Sequence, residues 1–182
     1  MKPSAFSASL LASLFACLLF AAGFAVAAES TAEAGEQPQI LGWIEHLRLM
    51  PGRALFKAKL DSGAKSSALH AEDLEFFELD GRQMVRFSLR KDHQDADSER
   101  IIYERPLVGE VNIKLRGTER LDARPVVRLE FCLAGQIHNT LFTLTDRSNF
   151  NYPVLLGRDF LKYGIVVDSS ATFTHRTRCP RV

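Results

Sequence analysis

Lys57-Ala58-Lys59-Leu60-Asp61-Ser62-Gly63-Ala64 decides the fold. The run leading into it, Ala54 to Leu60, is β-like, and it ends in an aspartate, a hydroxyl and a glycine. A strand that stops at Asp-Ser-Gly presents a carboxylate on a tight turn. The glycine lets backbone amides approach that carboxylate, and the hydroxyl can lock the turn by hydrogen bonding. Far downstream stands a second apolar element broken by glycine, Val154-Leu155-Leu156-Gly157-Arg158-Asp159-Phe160-Leu161. Asp-Ser-Gly alone is common turn chemistry. Its order, ahead of Leu-Leu-Gly-Arg and inside a β-rich segment, carries the information.

Outward from this stretch the pattern stays β. Ile40 to Leu49 alternates loosely and stops at Met50-Pro51-Gly52, a turn signal. Asp80-Gly81 between Phe76–Leu79 and Met84–Leu89 predicts a hairpin. Ser67 to Phe77 reads as a short helical turn or an irregular connection, and Arg90 to Arg100 as a charged, solvated loop. Short strands are expected at 101–103, 109–115, 126–133 and 140–144, a buried one at Leu155-Leu156, a short helix at 158–163, and two closing strands at 165–168 and 171–173. Many short strands with regular turn signals predict an all-β, closed or barrel-like domain with one short C-terminal helix.

The termini are read separately. Lys2, an apolar core from Leu10 to Ala22 and the small-x-small triplet Ala25-Val26-Ala27 predict a cleavable signal peptide over residues 1–27. A retained transmembrane anchor is the alternative, and a lipid-modified Cys17 is disfavoured by Phe15 and by the apolar residues that follow. Residues 28–39 read as a flexible leader, 40–176 as the folded domain and 177–182 as a tail. Of the 23 Lys and Arg residues only Lys2 lies in the signal, which leaves a chain balanced against 22 Asp and Glu. That balance gives no support for nucleic-acid binding, which needs a basic surface. A periplasmic or secreted location, with no stable membrane anchor after processing, is the expectation. In that compartment Cys132 and Cys179 can pair as a disulfide, or stay as two thiols.

The two elements resemble the retropepsin-like aspartic endopeptidases. The longer stretch Lys57 to Ala71 is more closely similar to the bacterial family long labelled "ATP-dependent zinc protease", which Asp146-Arg147 and Leu155-Leu156-Gly157-Arg158 also fit. The resemblance runs from about Gly42 to Phe173. It implies a retropepsin-like fold and a catalytic pair of aspartates sharing one proton. This chain holds one Asp-Ser-Gly, so the resemblance implies a homodimer in which Asp61 meets its own copy across a two-fold axis. Asp61 would be the shared acid and base, Ser62 would brace the pair, and Gly63 and Ala64 would line the substrate groove. Leu156 and Gly157 would pass behind the turn, and Arg158 would make an ion pair with a carboxylate. The usual partner position, two residues after the glycine, is Lys65 here, which leaves Asp159, Asp146 or the second subunit. The hairpin holding Pro106 to Gly109 and the loop Arg90 to Arg100 are both candidates for a flap. The implied substrate is a peptide or protein of the cell envelope, and the family's association with amino-acid ligases points towards isopeptide, poly-amino-acid or cell-wall-related substrates.

Two other readings stand beside this one. The first is a non-catalytic peptide-binding module on the same fold, which the missing carboxylate at Lys65 favours. The second is the metallopeptidase of the old label. His46, His70, His93, His138 and His175 show no ligand spacing, there is no His-Glu-x-x-His, and no Gly-rich loop precedes Lys-Ser/Thr, so no metal or nucleotide cofactor is expected. Ser66, Ser67 and His70 read as hydrogen-bonded loop rather than nucleophile and base. Trp43 and Phe76-Phe77 read as core.

Overall fold

The structure, a computed structural model, describes residues 37–51, 54–114, 117 and 121–179. The signal peptide, most of the leader and the last three residues of the tail lie outside these. The strands are β1 (Gln39–Leu49), β2 (Leu55–Leu60), β3 (Ser67–His70), β4 (Glu72–Leu79), β5 (Arg82–Arg90), β6 (Arg100–Lys114), β7 (Leu121–Leu133), β8 (Gln136–Thr145), β9 (Val154–Leu156) and β10 (Ile165–Thr172); a single helical turn, α1 (Arg158–Leu161), separates the last two.

Hydrogen bonding runs in the order β10-β1-β2-β9-β3-β8-β7-β6-β5-β4, and β1 also pairs with β7. That extra pairing, Leu47 with Leu133 and Leu49 with Phe131, closes β1, β2, β9, β3, β8 and β7 into a ring. Closure removes the free edges those strands would otherwise expose. Two elements stand outside the ring. β10 lies parallel to the first half of β1, and β6, β5 and β4 continue from β7 as an antiparallel arm.

The ring has two kinds of residue row, because paired residues on neighbouring strands point to the same side. One row, Leu60, Leu156, Ser67, Phe142 and Val127, faces the interior. It joins Leu47, Phe56, Leu69, Leu129, Phe131 and Phe160 in one apolar core. The other row, Lys59, Leu155, Ala68, Thr143 and Val126, faces away from it. β2 shows the alternation plainly: Phe56, Ala58 and Leu60 are buried and Leu55 and Lys57 exposed. Glu45 is buried and forms no ion pair among the described residues. Its carboxylate accepts the N–H groups of Gly42 and Thr174, both at 2.9 Å, and fastens the chain after β10 onto β1. Cys132 on β7 and Cys179 are joined as a disulfide with Cα atoms 5.9 Å apart. In the chain-entropy account a closed loop of this size restricts the unfolded state by about 4 kcal/mol.

Several expectations need correction. Ser67 to Phe77 is strand, not a helical turn or loose connection. β3 is buried on both sides, so its short run shows no alternation to read. The expected strands at 101–103 and 109–115 are one 15-residue strand. Residues 100–106 of β6 pair with β5, and residues 107–114 with β7. Pro106, which has no N–H to donate, stands where the ladder changes partners. There is no hairpin at 106–109. The two closing strands are likewise one, β10. Phe76 is exposed and Phe77 only half-buried, because β4 is the free edge of the arm. Trp43 is half-buried against the edge of Tyr152. The Asp80-Gly81 turn joins β4 to β5 as expected, both residues adopting positive φ (50° and 73°).

His138 gives the fold a pH dependence. Its ring stacks on Phe131 at 5.6 Å and meets the edge of Phe160 at 5.2 Å, and its buried Nε2 has no hydrogen-bond partner among the described residues. Burial pushes its pKa below the ordinary histidine value of 6.5, against a smaller opposing hydrogen bond to the Leu133 backbone. The unfolded chain therefore binds a proton on this residue more readily than the folded one. Its contribution to stability is complete above pH 6.5 and declines as the pH falls from 6.5 to the folded-state pKa. Denaturant unfolding of wild type and His138→Leu between pH 5 and 8 should show the stability gap shifting in favour of the variant on the acid side. Parallel curves would refute this assignment.

Candidate active site

The active turn begins where β2 ends. The Asp61 N–H donates to the Leu156 carbonyl at 2.8 Å, which extends the β2–β9 ladder by one residue. The chain then reverses. Asp61 Oδ1 accepts the Gly63 N–H at 2.9 Å, and the Ala64 N–H donates to the Asp61 carbonyl at 3.2 Å. These two bonds form an Asx-type turn that fixes the carboxylate by its own backbone.

The second element braces this turn from behind. The first N–H groups of a helix have no partner within it. In α1 those of Arg158 and Asp159 donate to the carbonyls of Ala64 and Lys65, both at 2.9 Å. The Gly157 N–H donates to Ser67 Oγ at 3.1 Å. The Arg158 guanidinium donates through one nitrogen to the carbonyls of Ser62 and Gly63, both at 2.9 Å. Within one chain Arg158 thus grips the two exposed carbonyls of the turn, and neither Asp159 nor Asp146 pairs with it. Asp61, Ser62, Gly63, Ala64, Leu156, Gly157 and Arg158 thus come together in space.

The charges around Asp61 are positive. Lys59 Nζ lies 3.1 Å from Asp61 Oδ2. Burial alone would raise the Asp61 carboxyl, but Lys59 and the N–H groups of Gly63 and Ala64 outweigh it and hold the pKa below the ordinary 3.8. Arg147 is buried, and near enough to Asp61 to feel its charge. Its Nε donates to the Tyr152 carbonyl at 3.3 Å, and its guanidinium lies 4.5 Å from the centre of the Phe150 ring. Burial lowers its pKa and Arg124 lowers it further, whereas the charge of Asp61 raises it. Its backbone N–H donates to Nδ1 of buried His70 at 2.8 Å, which ties the ring to the turn after β8.

An open groove of about 790 Å³ begins at Lys65, just past this turn; Asp61, Gly63 and Ala64 are not among the residues that line it. Lys65 and Ser66 form one wall, Leu141 and Thr143 of β8 the floor, and Val111 and Ile113 of β6 the far side. Val126 of β7 lines the groove as well. The loop 91–99 instead borders a separate hollow of about 270 Å³ beside His46 and Pro153. Among the described residues no donor set fits a zinc ion. No three His, Cys, Asp or Glu side chains among the described residues converge on one point. His70, His93 and His138 are each engaged elsewhere, with the Arg147 N–H, the Phe150 carbonyl and two phenyl rings respectively.

Residues 40–178 match the family model of the RimB-like proteins, described as the retropepsin-like aspartic endopeptidase RimB. The chain belongs to the RimB-like family. The match contains the Asp61 turn, β9, α1 and the β6–β7 hairpin. A probable alpha-L-glutamate ligase of Shewanella halifaxensis is 33% identical over 124 residues, covering 67% of this chain and 26% of that protein. One from Desulfotalea psychrophila is 28% identical over 117 residues, or 64% and 25%. The chain thus spans about a quarter of the length of the curated relatives it matches. A crystal structure of a Legionella pneumophila protein of unknown function is similar at TM-score 0.64 and 33% identity, over 75% of this chain and 98% of that one.

Four side chains near the turn were given no site role by the sequence, although Lys59 and Arg147 lie in the stretches that carry the resemblance. Lys59 was detectable, since side chains two apart on a strand leave the same face. Ser67 and His70 were read as loop, because β3 carries no alternation. Arg147 gave no signal of burial, since a cation is ordinarily read as surface even with Phe150 and Tyr152 close by in the chain.

Proposed function

We propose that this RimB-like chain is an aspartic endopeptidase that works as a homodimer, with Asp61 of each copy forming one catalytic pair. The observation that carries the reading is the bracing of Asp61: its backbone, both following carbonyls and the turn behind it are all held by β9 and α1. A carboxylate that has to exchange protons with water and substrate gains from such fixed geometry. The two carboxyls cannot both ionise at close range, so they hold one proton between them. The ionised member takes a proton from a water that attacks the scissile carbonyl. The protonated member donates to that carbonyl oxygen, and the roles reverse as the amide breaks. The signal-like residues 1–27 support action outside the cytoplasm. Relatives named as glutamate ligases make glutamate-containing peptides the substrates to try first.

The second reading, a binding module, draws support from Lys59, which already satisfies Asp61 in the single chain. Dilution separates the two. For a dimeric enzyme, cleavage rate per chain falls as concentration drops through the range where sedimentation shows dissociation. A rate per chain that stays constant in fully monomeric protein would overturn the two-fold pair. Absence of cleavage at every concentration would favour the binding module.

A further inference from the structure

Lys59 does more than decorate the strand beside Asp61. It leaves the same face of β2 as Asp61, opposite the core row of Leu60 and Leu156. Its ammonium lies 3.1 Å from Oδ2 while Oδ1 accepts the Gly63 N–H. Both oxygens of the carboxyl are therefore occupied in one copy of the chain, one of them by a cation where a dyad needs a second carboxyl.

Three arginines belong to the surroundings of the turn. Arg147 lies in the turn after β8, and its own pKa is raised by the charge of Asp61. Arg158 approaches from α1, but its guanidinium is spent on the carbonyls of Ser62 and Gly63. Arg124, on β7, is bound to Asp122 at 2.6 Å. Lys59 alone among these is in direct contact with the reacting oxygens. Its side chain is 38% exposed and long enough to swing clear.

We propose that Lys59 is a positioning residue that sets the working pH of the Asp61 pair. In the single chain its ammonium holds Asp61 ionised. In the dimer it competes with the common proton, because a neighbouring cation favours the charged form of a carboxyl. The pair then keeps its proton only at a lower pH than it would without Lys59. This rests on the peptidase reading for its effect on rate, but its effect on the charge of Asp61 does not.

The test uses Lys59→Met, Lys59→Gln and Lys59→Arg in the full chain. Carbon-detected NMR follows the Asp61 carboxyl through a titration of dilute protein. Loss of the cation in the Met and Gln variants should move the Asp61 midpoint up by about one pH unit, a tenfold change in its ionisation equilibrium. Arginine should keep it near wild type. The pH–rate profile should move in the same direction by a similar amount, with both limbs displaced together. Should the Met variant fail to fold, the Gln variant gives the same reading. An unmoved Asp61 midpoint in a folded variant overturns the proposal, even if the melting temperature falls, since that is all a purely structural lysine would produce. If wild type cleaves nothing, the peptidase reading fails while the carboxyl titration still decides the role of Lys59.

Discussion

An Asp61→Asn chain should fold normally and cleave nothing. Asparagine keeps the size of the side chain and a carbonyl oxygen for the Gly63 N–H, so the turn survives. It loses the contact with Lys59, which at a partly exposed site is worth about 1 kcal/mol or less. The chemistry fares differently. An amide neither takes a proton from water nor gives one to a carbonyl, and in a two-fold dimer one substitution removes both partners at once. Positioned acid–base groups contribute about 10²- to 10⁴-fold each, so a loss of at least about 10³-fold is expected. The measurement is a cleavage assay paired with a melting curve. Were Asp61 only a turn residue, the variant would cleave as fast as wild type.

Gly157→Ala should damage stability and activity together, from a position behind the site. The backbone there is extended, with φ −93° and ψ 177°, a conformation any residue adopts. The obstacle is space. A Cβ at Gly157 would lie 2.6 Å from the Ser66 carbonyl oxygen, 2.7 Å from its carbon and 2.8 Å from the Lys65 carbonyl oxygen. All three are backbone atoms and none can rotate aside. α1 must then retreat from the turn, stretching the bonds that Arg158 and Asp159 make to Ala64 and Lys65. Overpacking of this kind costs about 1–3 kcal/mol, and each bond lost adds about 1 kcal/mol. A displacement of about 1 Å at a catalytic group lowers the rate by about 10²-fold. Denaturant unfolding and the cleavage rate, measured on the same preparation, check both halves. A variant as stable and as active as wild type would mean that the close approach of Gly157 to residues 65 and 66 is not what holds the turn.

The parts of this molecule that could be read from its sequence are those specified by neighbours in the chain. The Asp80-Gly81 reversal is written in two residues that tolerate positive φ. The alternation of β2 is visible because one of its faces meets the core and the other does not. The Asp61 turn and the Leu-Leu-Gly-Arg element were legible as a pair, and the structure packs one on the other. What stayed hidden depends on distant partners. β3 is short and enclosed on both sides, so it lacks the signature of a strand. Pro106 looked like part of a hairpin, but the strand continues through it, changes neighbours there and bulges just beyond, between Leu107 and Gly109. Phe76 looked like core, but no layer covers the edge strand that carries it. Arg158 was expected to seek a carboxylate, whereas the nearest acceptors were the carbonyls of a turn far away in the chain. Arg147 shows the same limit from the other side, since a cation is ordinarily read as surface.

The bond between Cys132 and Cys179 has a consequence for damage tolerance. β8, β9, α1 and β10 all lie between the two cysteines, including Leu156, Gly157 and Arg158. A single cut by another protease anywhere in that interval, for example in the exposed residues 148–151, would leave both pieces covalently attached. Asp61 and its support would then survive nicking as one molecule, visible as two bands on a gel only after reduction.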